Sequence, residues 1–210
     1  MKMRKIGLVV VLSLMFFGCA GKTTMSPEVK SQLKKIALDT NVTMPQEVMF
    51  MTRGDALAMG LGGIVGGLIV GSDLSQEEKL HKFLDENKIN FDEILKEEYL
   101  LALKSKPYYA SKLTTESNAQ NKFKITVNMY GLMYHHNIFS ADYKPSANIK
   151  FDLLDNNNKV IWSETDFVTS YTDETSRMPL EDYFKNPENM REAFHSVARV
   201  ISKLVIEKLP

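Results

Sequence analysis

The chain has 210 residues, 44% of them hydrophobic and 25% charged, which suffices for a domain with its own core and excludes a disordered tail, a collagen-like fibre and a polytopic membrane protein. Its 26 basic residues balance 26 acidic ones, so no polycationic stripe drives binding to nucleic acid. One cysteine excludes an internal disulfide.

In chain order, residues 1–18 come first and read as an export signal. Lys2, Arg4 and Lys5 supply a positive start, and Ile6 to Phe17 supply twelve residues that are apolar except for Gly7 and Ser13. That run is too short to span a bilayer. Gly18 and Cys19 follow it directly, and Cys19 is the sole cysteine. In this arrangement the segment resembles a bacterial lipoprotein signal. The resemblance implies a diacylglyceryl group on Cys19, and Ala20 in place of an aspartate implies the outer membrane, periplasmic face. Acyl chains contribute about 0.8 kcal/mol per buried methylene, so several on one cysteine anchor a protein without a basic patch. Loss of Lys2, Arg4 and Lys5 tips the charge balance mildly negative. A thiol held by lipid is also unavailable as a nucleophile, and no cofactor is implied beyond the covalent lipid.

Residues 19–31 are polar and unpatterned, which suits a lipidated tether, and residues 32–210 form the expected periplasmic domain. Lys34 to Asp39 and Glu47 to Thr52 are short apolar runs, expected as strands. A helix is predicted from Ser75 to Glu86, and a second from Asn90 to about Lys104, with Glu93 placed for a capping box. The second is expected to bury Ile94, Leu95, Leu101 and Ala102 or their neighbours, and Pro107 stops it. Lys122 to Tyr134 alternates, with Phe123, Ile125, Val127, Met129 and Met133 on one face. Ala147 to Leu154 and Val160 to Val168 read as a hairpin around Asp155 to Asn158. The last helix opens at Asn186-Pro187 and carries Ala193, Phe194, Val197, Ala198, Ile201, Leu204 and Val205 at helical spacing.

This order predicts an α+β domain: a mixed, mostly antiparallel sheet of about five strands with helices packed on one face. In that order, and in the helix start Pro187-Glu188-Asn189-Met190-Arg191-Glu192-Ala193, the chain resembles periplasmic lipoprotein domains related to the TolB amino-terminal domain and the curli secretion lipoprotein. The resemblance bears on fold and hardly on function.

Between the two short strands and the helices lies a glycine-rich apolar segment, residues 54–72. Seven of the chain's eleven glycines fall there, and Ala56 to Ser72 carries no charge. Gly62 and Gly66 are four apart, as are Gly63, Gly67 and Gly71, so a helix would present small faces for close packing. In water each glycine costs about 1 kcal/mol relative to alanine, so Gly60, Gly62, Gly63, Gly66, Gly67 and Gly71 together disfavour an isolated helix by about 6 kcal/mol. Three arrangements remain: a helix packed on its own domain or another copy, a segment in or on the membrane, and a loop. As a helix it reaches about 26 Å, just short of a hydrocarbon core of about 30 Å. Nucleotide binding is excluded by spacing, because Val65 stands where the dinucleotide fingerprint needs glycine, and Leu68 and Ser72 stand where a P-loop needs lysine.

No catalytic constellation emerges. His135 and His136 are neighbours on an extended strand and point to opposite faces. His81 with Glu77 and Asp85 matches both a ligand set and an ordinary charged helix face, and no metal is assigned. Tyr108, Tyr109, Tyr130, Tyr134, Tyr143 and Trp162 suit packing more than a ligand groove. The expected function is a non-enzymatic accessory or adaptor lipoprotein in envelope assembly or secretion. Its partners are the outer membrane, other envelope proteins and a further copy of itself. A membrane-inserting homo-oligomer is the alternative; a small-ligand-binding protein or hydrolase is the second. Radioactive palmitate supplied to the producing cells should label the wild type and not Cys19→Ala. An unlabelled wild type with its leader attached contradicts the lipid assignment.

Overall fold

The computed structural model describes residues 24–52, 75–116, 118–137 and 140–210. The elements are α1 (Pro27–Gln32), β1 (Ile36–Leu38), β2 (Met49–Met51), α2 (Gln76–Glu86), α3 (Phe91–Lys104), α4 (Pro107–Ala110), β3 (Asn121–Asn137), β4 (Ser140–Leu154), β5 (Val160–Val168), β6 (Met178–Pro179), α5 (Leu180–Lys185) and α6 (Pro187–Glu207). The described strands form one six-stranded mixed sheet in the order β1-β3-β4-β5. β3, β4 and β5 are an antiparallel meander, β1 and β2 both pair parallel with β3, and β6 pairs antiparallel with the start of β4.

Local chemistry explains the boundaries. At α2 the Ser75 Oγ accepts from Glu78 N–H at 3.1 Å while Ser75 N–H donates to Glu78 Oε2 at 2.6 Å, a complete capping box. Asn90 stands at the N-cap of α3, but its side-chain Nδ2 donates to Glu93 Oε2 at 3.3 Å and no side-chain cap bond forms, so the two side chains meet each other in place of the expected box. Asn186 Oδ1 accepts from Glu188 N–H at 3.1 Å and Pro187 opens α6, as the sequence implies. In the β4–β5 turn, Asp155 Oδ1 accepts from the N–H groups of Asn157 and Lys159 at 2.8 and 2.9 Å, and Asn158 takes φ 59°.

The core lies between one sheet face and the helices α3 and α6. Tyr99 of α3 stacks on Phe151 at 4.6 Å and meets Phe123 edge-on at 5.5 Å. Phe91 stacks on Tyr130 at 4.8 Å and touches Phe194 of α6 at 5.3 Å. Trp162 and Val168 close the core at β5.

The structure corrects five expectations. Leu101 is 55% exposed, because it falls off the helical stripe of Ile94, Leu95, Glu98, Tyr99 and Leu103. Met129 and Met133 do not share the face of Phe123, Ile125 and Val127. A register shift between Val127 and Met129 moves the inward face to Tyr130 and Leu132, which join the core. β4 starts at Ser140 rather than Ala147; Pro145 is tolerated because it sits between the pairing of β6, at Tyr143, and that of β5, at Ala147. Between β5 and the last helix, where the residue pattern predicts no element, stand β6 and α5. Of the tether expected over 19–31, residues 19–23 lie outside the described residues, and the rest is ordered: α1 spans Pro27–Gln32, capped by Ser26, and Met25 is buried.

One glycine is required by a close approach. Gly131 has φ 151°, and a Cβ there would lie 1.8 Å from Met49 O, so β2 can draw up to β3 only past a hydrogen. Replacing the fully buried Phe151 by alanine should lower the unfolding free energy by about 3–5 kcal/mol in urea titrations, whereas Leu101→Ala should change it by less than about 0.5 kcal/mol. Equal losses contradict the burial assigned to α3.

Candidate interaction surfaces

Cys19, Gly60, Gly62, Gly63, Gly66, Gly67 and Gly71 lie outside the described residues. His81 Nδ1 lies 3.0 Å from Asp85 Oδ2 on the exposed face of α2. Among the described residues no group of three histidine, cysteine or acidic side chains is placed to hold a metal. β3 runs through both His135 and His136, and His135 Nδ1 donates to Ser170 O at 2.7 Å. The aromatic candidates pack against one another and against core rings. Trp162 is 1% exposed and packs edge-on to Phe123, and Tyr134 packs edge-on to Tyr143 at 5.7 Å. Among the described residues no helix is long and apolar enough to cross a membrane.

Three polar clusters tie the layers together. Glu98, buried on α3, accepts from His195 Nδ1 at 2.9 Å and Arg199 Nη2 at 3.1 Å, so α6 grips α3 through a charged contact beside the aromatic layer. Lys208, just past α6, donates to Glu164 at 3.1 Å and Asp166 at 2.7 Å of β5. Lys144 of β4 is buried and donates to Thr172 O. Burial pulls its ammonium pKa down, against the attraction of Asp173 and Glu174. Each of these clusters joins neighbouring elements, and its geometry serves packing.

The open surfaces are grooves and sheet edges. Between the edge of β1 and the Leu100–Lys104 side of α3 runs a groove of about 720 Å³, floored by Leu38, Leu100 and Leu113 and flanked by Lys104 and Lys122. A second, of about 600 Å³, lies between α2 and α5, where Phe83 and Phe184 meet edge-on at 5.0 Å. The far edge, β5, carries Glu164 and Asp166 on the strand positions shared with Trp162 and Val168, both clamped by Lys208. Inward charges of this kind protect an edge from pairing. Sequence reasoning found neither Leu38 nor the two lysines, since a three-residue strand has too little alternation to reveal an edge. The one available signal was the helical spacing of Lys96, Leu100 and Lys104.

The chain matches no family model and no curated protein. It resembles solved structures of low identity. A Xanthomonas campestris protein of the DUF330 family is 12% identical over 88% of each chain, with a TM-score of 0.45. A minor lipoprotein from Acinetobacter baumannii is 13% identical over 84% of this chain and 90% of its own, with a TM-score of 0.34. A PelC dodecamer from Paraburkholderia phytofirmans is 13% identical over 88% and 94%, with a TM-score of 0.33. Likenesses at this level assign no activity or assembly to the chain.

Burial holds the core tyrosines protonated: Tyr130 is pushed up to about 12, with Asp85 and Asp92 adding to the effect, and Tyr99, Tyr109 and Tyr183 are raised as well. Below pH about 10 both folded and unfolded chains keep these protons; above it the unfolded chain loses them first, so stability falls as pH rises. Urea midpoints should drop between pH about 10 and 12, and Tyr130→Phe should flatten part of that drop. A midpoint independent of pH in this range contradicts the tyrosine burial.

Proposed function

We propose that this chain is an accessory lipoprotein, anchored by lipid on Cys19 in the outer membrane and facing the periplasm, which works by binding other envelope components rather than by catalysis. The observation that carries this reading is the position of the only cysteine, directly after a positive and then apolar leader of signal length. Support comes also from what the described surface offers. Open grooves run beside helices and a sheet edge, and the buried carboxylates of Glu98 and Glu164 join elements.

The alternative is a homo-oligomer that enters the membrane through residues 56–72, favoured by the four-residue spacing of Gly63, Gly67 and Gly71. Particle mass separates the two. Light scattering of the detergent-solubilised full chain should give a monomer or small oligomer, unchanged in Gly63→Leu/Gly67→Leu. A large ring that this double substitution abolishes contradicts the adaptor reading and establishes the oligomeric one.

A further inference from the structure

Hydrogen bonding along β1 alternates by residue. Lys35 O accepts from Asn121 N–H at 3.1 Å, and Asp39 N–H donates to Phe123 O at 2.8 Å, so the odd residues of this stretch serve β3. The even residues face outward. Ile36 N–H donates to Lys112 O at 2.8 Å, and Ile36 O accepts from Thr114 N–H at 3.0 Å. Further on, Thr40 O accepts from Lys96 Nζ at 3.3 Å. Between them Leu38 has the same outward parity, and among the described residues neither its N–H nor its C=O is taken. Segment 112–114 lies parallel to β1 beside Ile36 and then departs, leaving the groove where its next residues would have run.

The walls of that groove state what would fit. Leu38, Leu100 and Leu113 form an apolar floor on the α3 side. Lys104 stands at the end of α3 on that side, while Lys122 stands on the opposite sheet face by its alternation with Phe123. Among the described residues neither ammonium meets a carboxylate within ion-pair distance. Two acids also line the groove: Glu116 is held by Lys35 at 2.5 Å, and Asp39, whose Oδ1 accepts from Asn41 N–H at 3.0 Å, shares the sheet face of Lys122. A main-chain donor and acceptor at one point, an apolar floor and the Lys104 cation on the same side together describe a seat for an added strand.

We infer that the β1 edge is a docking site for an extended peptide segment that carries an apolar side chain and, two residues away on the same face, a carboxylate. The guest pairs with Leu38 N–H and C=O and continues the line of residues 112–114. Its apolar side chain rests on Leu100 and Leu113, and its carboxylate meets Lys104 on that side. The guarded β5 edge directs the guest to this side of the sheet. This inference deepens the adaptor reading by naming the chemistry of the partner. It rests on that reading for its biological setting only, since an unlipidated Cys19 overturns the anchor and leaves the groove as it is.

The test is fluorescence anisotropy of the full chain in detergent with a fluorescein-tagged heptapeptide that has valine at its centre, glutamate two residues to either side of it and threonine elsewhere. Two control peptides carry lysine in place of glutamate, or proline at the centre. The glutamate peptide should bind with Kd on the order of 10–100 μM, and both controls at least about tenfold more weakly. Lys104→Glu should reverse the preference, favouring the lysine peptide, an outcome that loss of folding cannot produce. Equal affinity for the charged peptides, no binding, or a preference untouched by this substitution overturns the proposal. So does a wild-type dimer that dissociates in the variant without taking peptide, which assigns the edge to a second copy.

Discussion

A β-strand offers its hydrogen-bonding groups alternately to its two sides, so a strand at the end of a sheet satisfies half of them inside and must place the other half elsewhere. In β1 that constraint is met residue by residue. The inward half goes to β3; outward, Ile36 is served by the backbone of residues 112–114 and Thr40 by the Lys96 side chain. Leu38 alone is left facing a groove. The opposite edge meets the same constraint by another means, with Glu164 and Asp166 turned toward the core side and locked by Lys208. The two ends of one sheet therefore differ in kind, one closed by charge and one open beside a helix.

That difference depends on how the core is built. Helices cover only one face of the sheet, and the aromatic contacts of Tyr99, Phe91 and Phe194 with Phe151, Phe123 and Tyr130 fix α3 and α6 over its middle. α3 then overhangs β1 with its Lys96, Leu100 and Lys104 side, which makes the groove wall. The shift at Asn128 lets the 17-residue β3 keep a core face along its whole length despite the change of parity. Gly131 admits β2 to the far part of the same strand, so β1 and β2 form one interrupted edge with the groove at its start.

Much of this fold was legible in the residues. The capping pattern at Ser75, the Asn186-Pro187 start and the Asp155 turn are local signals, and each lies where local chemistry places it. What escaped was set by distant contacts. Pro145 and its polar neighbours disguise the first half of β4 because nothing local says that the strand lacks a partner on one side there. Asn128 looks like one more polar position in an alternating strand until Ile149 and Asn148 show the slip. Leu38 is unremarkable in a run of six residues, and its exposure to an open edge depends on where residue 114 leaves, many residues later. Lys104 and Lys122 read as ordinary solvated lysines for the same reason.

In the proposed arrangement the leader and Cys19 supply location and the β1 edge supplies recognition, two tasks carried by separate parts of one chain. The account turns on whether Leu38 is free while its neighbours are engaged. Residue-resolved deuterium exchange of the uncomplexed protein measures this directly. The amides of Ile36 and Asp39 should exchange slowly and that of Leu38 rapidly; a Leu38 amide as protected as those two would mean that the edge is already filled and would contradict the account.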